Sequence, residues 1–400
     1  MFEFGSVLET VLQVMFTALA VGVSLPALVL LMQVLLALLP ARRLPPPLPA
    51  PVRTAVLVPA HNESTGVIPT ISQLLAQRKP GDRVVVIADN CSDDTANVAW
   101  AAGAEVTERH NQELRGKGYA LDHGVRYLQQ DPPDVVVIVD ADCDVSPDCI
   151  HHLAQAAARN GCPIQGQFLT VAPDASLKMR IAEFAMRVKA HVRPRGMALL
   201  NLPCGLTGSG IAYPWSVIVD APIASGHLAE DLQLGVELGR RGTPPIYCEA
   251  ARLQTVFAVS REAQDTQRTR WEHGHLSILL GEGPRLLVSA LLRGRLRFAT
   301  QVLDLLVPPL ALLALLQLVA ALFGAAAWML AGWTAPLIVA TCGLLSLLVA
   351  VLAARARFAS DIVTWADIMK VPLYVFGKLP IYARFVFDRQ VEWVRTKRGR

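Results

Sequence analysis

The sequence predicts an α/β domain with a mixed, mainly parallel sheet, attached to about three transmembrane helices and to amphipathic helices at the membrane surface. The 400 residues are 53% hydrophobic and only 18% charged, whereas soluble domains carry about 25% charged residues. The apolar residues are concentrated, because residues 10–41 and 305–354 contain no Asp, Glu, Lys or Arg. The polar middle of the chain contains short Val- and Ile-rich runs, which favour buried strands.

The two uncharged blocks predict the membrane spans. A helix needs about 20 apolar residues to cross the hydrocarbon core, so we expect one span in residues 1–43 and two in residues 299–357. The basic residues beside these spans are Arg42, Arg43, Arg293, Arg295, Arg297, Arg355 and Arg357. Because cytoplasmic flanks are enriched in Lys and Arg, we expect an integral inner (cell) membrane protein with a cytoplasmic middle domain and C-terminus. The N-terminus is expected outside, and the first apolar run is too long for a cleaved signal peptide.

Composition also excludes several classes of protein. Three spans are too few for most transporters or channels, and the apolar content excludes a disordered chain. A net charge of +4 that is spread along the chain does not indicate a nucleic-acid partner. The seven cysteines form no CxxC pair, so neither a disulfide framework nor a zinc site is indicated.

The middle domain is expected to follow a short linker. Residues 44–53 contain the proline-rich stretch LPPPLPAP, which is typical of a semi-rigid extended spacer. Residues 54–265 are then expected to form the cytosolic domain. Its predicted parallel strands lie in AVLVPAHNE (55–63), RVVVIADNCSDDT (83–95) and DVVVIVDADCDVSPD (134–148). Functional sites in such sheets lie at the carboxyl ends of the strands, where the polar residues of these runs stand.

Helices are expected between and after these strands. Their predicted ranges are residues 148–160, 174–192, 231–241 and 266–280. Two segments, residues 266–298 and 358–400, mix apolar and aromatic residues with basic ones. In the first segment we expect the helix at 266–280 to be followed by a stretch at the membrane surface, residues 284–298. The second is expected to form a pair of helices at the membrane surface and not a fourth span.

Asp140 and Asp142 follow the most apolar of the predicted strands. Two carboxylates at this spacing can share Mg²⁺ or Mn²⁺ with the phosphates of a nucleotide, because these ions prefer oxygen ligands and often borrow them from the substrate. The alternative is an Asp-rich turn without a ligand. A calcium loop is excluded, because Val145 stands where that loop requires glycine.

Asp89 and Lys117 are candidates for binding other parts of a nucleotide. Asp89 ends the second predicted strand, where a carboxylate can accept a hydrogen bond from a base N–H or a ribose hydroxyl. Asp93 and Asp94, which follow it, are more typical of helix caps. Lys117 lies between two glycines in RGKGYALDHG, a position suited to a phosphate.

Two further clusters lie after residue 200. The small residues of CGLTGSG (204–210) permit close approach of the backbone to a ligand, or they form a plain turn. Glu230 and Asp231 open a predicted helix. They are therefore either caps that interact with the helix dipole or a candidate general base facing a cleft.

Gln267, Arg270 and Trp271 share one face of the helix predicted at 266–280, by their i, i+3 and i+4 spacing. Arg268 cannot lie on the same face as Arg270. The shared face offers an amide, a guanidinium suited to phosphate and an aromatic ring suited to stacking on a sugar. The alternative is a basic amphipathic helix at the membrane surface.

Taken in this order, VPAHNE, DNCSDDT, GKG, DAD, CGLTGSG, ED and QRTRW resemble the motifs of a membrane-bound family-2 glycosyltransferase of the exopolysaccharide type, over residues 58–271. The resemblance implies a glycosyltransferase-A fold. It also implies that Asp231 is the catalytic base and that Asp142, with Asp140, holds Mg²⁺ or Mn²⁺. By the same resemblance, the nucleotide sugar is bound by Pro59, His61, Glu63, Asp89, Lys117, Asp140 and Arg270, and the acceptor or diphosphate by Glu230, Gln267, Arg268 and Trp271.

The resemblance further implies a reaction. We expect an inverting, metal-dependent transfer from a nucleotide sugar, with UDP as the expected nucleotide, to a lipid-linked saccharide at the cytoplasmic membrane face, in polysaccharide biosynthesis. The alternatives are a processive β-polysaccharide or short-oligosaccharide synthase, a glycolipid synthase with a ceramide-like or hopanoid acceptor, and a non-catalytic membrane scaffold. Ala229 stands where processive synthases often have Thr, which leaves processivity open. Membrane lipids are expected partners, nucleic acid is not, and the sequence does not indicate an oligomeric state.

Overall fold

The computed structural model describes residues 2–387 of the chain. Its strands are β1 (Thr54–Ala60), β2 (Arg83–Asp89), β3 (Glu105–Arg109), β4 (Val135–Ile138), β5 (Asp144–Val145), β6 (Ile164–Val171), β7 (Ile211–Pro214) and β8 (Ile246–Val256). They form one eight-stranded sheet in the order β3-β2-β1-β4-β7-β6-β8-β5. The sheet is mixed, and its first four strands are parallel.

The parallel half of the sheet is built from the apolar runs of the sequence. Successive side chains of a strand point to opposite faces, so Val56 and Leu57 are both buried but belong to different hydrophobic clusters. Helices cover both faces, which is why these strands read as continuous Val and Ile runs. The predicted parallel strands at 55–63, 83–95 and 134–148 are thereby confirmed, and β3 is a further parallel strand that the pattern did not reveal.

The other half of the sheet places CGLTGSG beside Asp140. β7 pairs antiparallel with both β4 and β6, and β6 pairs parallel with β8. Because β7 runs antiparallel to β4, the loop that precedes β7 lies beside the carboxyl end of β4. The Gly210 N–H donates to the Ile138 carbonyl at 2.9 Å, and the Asp140 N–H donates to Ser209 Oγ at 2.9 Å.

Helices surround the sheet. They are α2 (Val67–Ala76), α3 (Thr95–Ala101), α4 (Lys117–Leu128), α5 (Cys149–Asn160), α6 (Leu177–Arg187), α7 (Arg193–Leu199), α8 (Trp215–Ile218), α9 (Glu230–Arg241) and α10 (Arg261–Gly281), after the N-terminal α1 (Phe2–Ala37). The helices predicted at 148–160 and 231–241 end at Gly161 and Gly242, whose left-handed conformation terminates helices without a Cβ clash.

Two predicted helices have different bounds in the structure. The helix predicted at 174–192 begins at Leu177 because the Ser176 side chain caps it, and it continues through a π-helical turn, Val188–Val192, into α7. The helix predicted at 266–280 begins earlier, at Arg261, with Ser260 as its cap. Ser side chains favour such N-cap positions because they accept a hydrogen bond from an otherwise unpaired backbone N–H.

Three helices are long and apolar enough to cross a membrane. They are the Val7–Ala37 part of α1, α13 (Leu310–Ala331) and α14 (Thr334–Phe358), in agreement with the three predicted spans. They pack together, and Gln317 Nε2 donates to the Val23 carbonyl at 2.7 Å. α10 and α11 (Gly283–Leu292), bent by 45° at their junction, also satisfy the length and composition of a broken span or re-entrant loop. α12 (Leu296–Leu305) follows them.

The C-terminal segment contains three short helices where the sequence pattern predicted a pair. They are α15 (Trp365–Met369), α16 (Val371–Phe376) and α17 (Leu379–Phe387), because the two prolines of this segment each begin a new helix. Residues 388–400 of the predicted segment 358–400 lie outside the described residues. The proline-rich linker has no regular secondary structure and lies against α5, where the Leu48 N–H donates to Gln155 Oε1 at 2.6 Å.

Candidate active site

The predicted site residues meet at the carboxyl end of the parallel strands. Pro59 lies near the end of β1, and His61 and Glu63 follow it in the loop toward α2. His61 Nδ1 lies 2.6 Å from the Asp89 carbonyl oxygen, which joins the ends of β1 and β2. The Glu63 N–H donates to Thr95 Oγ1 at 2.8 Å, so the backbone of this loop is tied to the start of α3.

Asp89 is held by an arginine that the sequence pattern did not single out. The carboxylate is 8% exposed, and Arg109 Nη1 donates to its Oδ1 at 2.6 Å. Asn90 Nδ2 donates to the same oxygen at 3.1 Å. The pair exists because β2 and β3 are parallel neighbours in a register that places Asp89 beside Arg109. The buried carboxylate is therefore paired with a guanidinium, oriented and placed at a strand end.

Lys117 binds Asp140 and a backbone carbonyl in this structure. Its Nζ forms an ion pair with Asp140 Oδ1 and donates to the Gly208 carbonyl at 2.6 Å. Burial works against the charged form, but the attraction of Asp140, Glu230 and Asp231 outweighs it and raises the pKa of Lys117. A lysine that is charged at neutral pH beside this cluster can bind a phosphate of an incoming nucleotide.

Asp140 and Asp142 fit a divalent ion that completes its coordination with substrate oxygens. Thr255 Oγ1 donates to Asp142 Oδ2 at 2.7 Å, which orients that carboxylate. No cluster of three or more His, Cys, Asp or Glu side chains suited to a metal exists within residues 2–387. Two carboxylates alone leave most positions of a Mg²⁺ or Mn²⁺ ion to water and phosphate, which is the usual arrangement in nucleotide sites.

Glu230 and Asp231 begin α9 and are partly buried. Neither is the N-cap, because that position is Ala229, which makes no side-chain cap. Burial and the neighbouring charge of Asp231 raise the pKa of Glu230 to about 7. Burial also raises the pKa of Asp231, although the cations of Lys189 and Lys117 oppose the shift. Raised carboxylate pKa values of this kind are typical of groups that accept a proton during catalysis.

Gly208 gives access to the second of these carboxylates. It has φ of +90°, and a Cβ there would come within 3.4 Å of Asp231 Oδ2. A side chain at this position would therefore be strained in its backbone and would crowd the carboxylate. The loop predicted to allow close approach thus lies against Asp231.

α10 carries Gln267, Arg270 and Trp271, the three candidates expected to share one helical face. Arg270 lies close enough to Glu230 for its charge to oppose the rise in the pKa of that carboxyl. Gln267 is 1% exposed, and its Oε1 has no hydrogen-bond partner among the described residues. The Trp271 ring lies 6.1 Å from the ring of Phe257. Of the three, Arg270 is therefore the one that the structure brings near the paired carboxylates, while Gln267 is buried and Trp271 packs against Phe257.

Arg268 stands two residues before Arg270 on α10, a spacing that places the two arginines on different sides of the helix. It is 5% exposed, and its Nη2 lies 3.4 Å from Met179 Sδ on α6. Two further residues near the site carried no sequence signal: Thr255, which orients Asp142, and Lys189, whose charge acts on Asp231. Both are brought in by long-range packing, one from β8 and one from the π-helical turn.

Comparison with known proteins agrees with this geometry. The family model "Glycosyltransferase like family 2" matches residues 50–274. A poly-β-1,6-N-acetyl-D-glucosamine synthase from Staphylococcus aureus is 24% identical over 246 residues, which cover 56% of this chain and 55% of the relative. The chain thus spans about half the length of the curated relatives it matches.

One solved structure resembles nearly the whole chain. A mannosyltransferase from Pyrobaculum calidifontis, in complex with GDP-mannose and Mn²⁺, superposes with a TM-score of 0.53 at 17% identity. The superposition covers 94% of this chain and 100% of the mannosyltransferase chain. At this level of identity the similarity is one of fold.

Proposed function

This chain belongs to glycosyltransferase family 2 and has a glycosyltransferase-A fold, and from that premise we propose that it is an inverting transferase for a lipid-linked acceptor. The donor is a nucleotide sugar, with UDP as the proposed nucleotide. The single observation that carries the proposal is the position of Asp231, whose carboxylate has a raised pKa, interacts with the charges of Lys117 and Lys189, and lies against Gly208 of the 204–210 loop. It is the group best placed to accept a proton from an acceptor hydroxyl.

The donor is bound at the ends of the strands. Asp89, fixed by Arg109, accepts hydrogen bonds from the base or the ribose, and Lys117 and Arg270 neutralise the diphosphate. A Mg²⁺ or Mn²⁺ ion held by Asp140 and Asp142 would supply further positive charge at the diphosphate. The mannosyltransferase with the similar fold was solved with GDP-mannose and Mn²⁺, which supports this arrangement.

The transfer follows from these positions. The acceptor hydroxyl oxygen attacks the anomeric carbon, its proton passes to Asp231, and the bond from that carbon to the diphosphate oxygen breaks. Lys117 and Arg270 stabilise the charge that develops on the leaving diphosphate. A single displacement inverts the configuration, so an α-linked donor gives a β-glycoside.

The three membrane helices support an acceptor that arrives in the lipid phase. α1 contacts the domain directly, because Arg193 Nε on α7 donates to Gln33 Oε1 at 3.1 Å. The proposed topology places the catalytic domain and the C-terminus in the cytoplasm and the N-terminus outside, according to the basic residues that flank the spans. A site held at the cytoplasmic surface can meet both a water-soluble donor and a membrane-bound acceptor.

A second candidate is a processive β-polysaccharide synthase. It is favoured by the name of the curated relatives, which make poly-β-1,6-N-acetyl-D-glucosamine. Purified full-length protein in lipid nanodiscs, supplied with radiolabelled nucleotide sugars and membrane lipid extract, distinguishes the two. One discrete glycolipid product supports the proposal, a ladder of lengths supports the synthase, and no turnover of any nucleotide sugar contradicts both.

A further inference from the structure

An apolar cavity of about 350 Å³ lies between the catalytic domain and the membrane helices. Its walls include Leu30 of α1, Leu310 of α13 and Leu347 of α14, while Trp271 of the candidate site lines its other side. Its volume is within the usual range of ligand sites, about 300–1,000 Å³. Because the walls that come from the spans are hydrocarbon, the cavity is suited to an apolar chain and not to a polar glycan.

Two of the cations around this cavity are already neutralised. Arg193 pairs with Asp304 at 2.8 Å, and Lys378 pairs with Glu272. The first pair ties α7 to α12, and the second ties α10 to the C-terminal segment. They explain why charge is tolerated here, but they offer no net positive charge to a ligand.

Lys189 and Arg268 differ from Arg193 and Lys378 because, in the described part of the chain, they have no direct ion-pair partner. Both line the cavity, and among residues 2–387 neither forms an ion pair with an acidic side chain. Arg268 is 5% exposed, and burial lowers the pKa of Lys189. Asp231, Asp304 and Glu272 attract the charged form of Lys189, but none of them lies within ion-pair distance of it. Buried charges are normally paired directly, so a ligand that carries negative charge can complete this wall of the cavity.

The backbone at Lys189 supports a functional role. The residue lies in the π-helical turn Val188–Val192 between α6 and α7. π-helical turns are energetically poor and occur most often at functional sites. Here the turn places Lys189 where it both lines the cavity and acts electrostatically on Asp231, so this side chain lies between the cavity and the candidate base.

We propose that this cavity binds the hydrocarbon chain of the acceptor lipid and that Lys189 and Arg268 bind its phosphorylated headgroup. The inference rests on the proposed transferase function and gives its acceptor a chemical class, a phosphate-bearing lipid. In this proposal the headgroup lies at the part of the cavity lined by Trp271, Lys189 and Arg268, and the chain extends between α6, α13 and α14. A charge-assisted contact of this kind is worth about 1.5–3 kcal/mol, or about tenfold or more in affinity.

Photo-crosslinking tests the proposal without any sugar transfer. Full-length protein in phosphatidylcholine nanodiscs is irradiated with a prenyl phosphate that carries a diazirine on its chain, or with the uncharged prenyl alcohol of the same length. We expect the phosphate probe to label peptides of α6 and α14 about tenfold more than the alcohol does. Equal labelling by the two probes, or labelling only on the outer faces of the spans, overturns the proposal.

Variants identify the residues. Lys189→Met and Arg268→Met are each expected to reduce labelling by the phosphate probe about tenfold and to leave labelling by the alcohol unchanged, while Lys189→Arg keeps both. Leu347→Trp fills the cavity and is expected to block both probes. Leu345→Trp is its matched control, because Leu345 lies on the same helix and is 54% exposed.

The labelling experiment does not require sugar transfer, so its failure can be distinguished from a failure of the proposed transferase function. Melting temperatures of the solubilised variants check folding, and the comparison of two probes on the unaltered protein requires no variant at all. Wild-type protein that is labelled as expected but transfers no sugar contradicts the proposed function and leaves the lipid site standing. Protein that transfers sugar but shows no preference for the phosphate probe contradicts the lipid site alone.

Discussion

Arg109 and Asp89 form an ion pair of 2.6 Å at the carboxyl ends of β3 and β2, with side chains that are only 10% and 12% exposed. Arg109 Nη2 also donates to the Leu114 carbonyl at 2.7 Å. The guanidinium therefore links the carboxylate proposed to bind the nucleoside to the loop that leads into α4 and Lys117. Arg109 therefore helps to position both the nucleoside part of the proposed donor site, at Asp89, and the diphosphate part, at Lys117.

Replacing Arg109 tests this link. Arg109→Gln removes the charge partner of a buried carboxylate and the anchor of the loop, so we expect the KM for the nucleotide sugar to rise about tenfold or more. The measurement is the initial rate of transfer as a function of donor concentration. Because the substitution leaves the catalytic carboxylates unchanged, kcat is expected to fall less than kcat/KM for the nucleotide sugar.

Arg126→Gln is the matched control for that substitution. Arg126 is also on the catalytic domain and is paired with a carboxylate, but its side chain is 71% exposed, and exposed ion pairs contribute little. The KM of Arg126→Gln for the nucleotide sugar is therefore expected to equal that of the wild type. An unchanged KM in Arg109→Gln would contradict a positioning role for the Asp89–Arg109 pair.

The proposed base is tested by Asp231→Asn. This substitution keeps the size of the side chain and removes its ability to accept the acceptor proton, so transfer is expected to fall by about 10²- to 10⁴-fold. Binding of the nucleotide, measured by calorimetry with UDP, is expected to persist. As a control, Asp220→Asn changes an exposed aspartate between α8 and α9 and is expected to leave transfer unchanged. Full activity of Asp231→Asn removes this residue from the mechanism.

The pH dependence of transfer follows from the coupled carboxylates. Both pKa values are raised, that of Glu230 to about 7. The proposed proton acceptor, Asp231, must be deprotonated, and its pKa is raised. The rate is therefore expected to decline on the acid side at a higher pH than for an ordinary aspartate, and to level off as the pH rises. Glu230→Gln removes the negative charge next to Asp231. This change lowers the pKa of Asp231 and is expected to move the acid limb to lower pH.

Glu237→Gln provides the comparison on the same helix. Its carboxylate pairs with Arg240 and Arg241 on the outer face of α9, away from the cleft. Its pH profile is expected to match that of the wild type. An acid limb that stays in place in Glu230→Gln would mean that the two carboxylates do not titrate as a pair.

Much of the fold could be predicted from local pattern. The strands β1, β2 and β4 are buried on both faces, and this burial leaves continuous Val and Ile runs in the sequence. The three spans are equally visible, because a helix in hydrocarbon excludes charged residues along its whole length. The opposite orientations of Arg268 and Arg270 followed from the helical period alone.

The residues that escaped prediction depend on contacts between distant segments. Arg109 is paired with Asp89 only because of the register between β3 and β2, and an Arg at the end of a short polar strand carries no local signal. Lys189 reaches Asp231 and the cavity through a π-helical turn, which shifts the helical period within a stretch that reads as a single helix. Thr255 reaches Asp142 from β8 and lies 113 residues further along the chain, so no local pattern could indicate the contact.

The contact between α1 and α7 leads to the last prediction. Gly196 lies on α7 directly against the backbone of Gln33, and a Cβ at this position would overlap with the Gln33 carbonyl. The close approach allows Gln33 to donate to Asp304 Oδ1 at 2.7 Å and to accept from Arg193 at 3.1 Å. This buried polar network joins the first membrane helix to the catalytic domain.

Gly196→Ala must push the two helices apart, since backbone atoms cannot move aside as a flexible side chain can. Overpacking of this kind lowers the free energy of unfolding by about 1–3 kcal/mol. Separation of the helices would also break hydrogen bonds of Gln33, which adds to the loss. We expect a lower melting temperature for the solubilised protein. Gly281→Ala, at the end of α10 with nothing within 4 Å of the new Cβ, is expected to melt at or slightly above the wild-type temperature. Equal melting of the two variants would show that α1 can separate from α7 without loss, and that the first span does not hold the catalytic domain through this network.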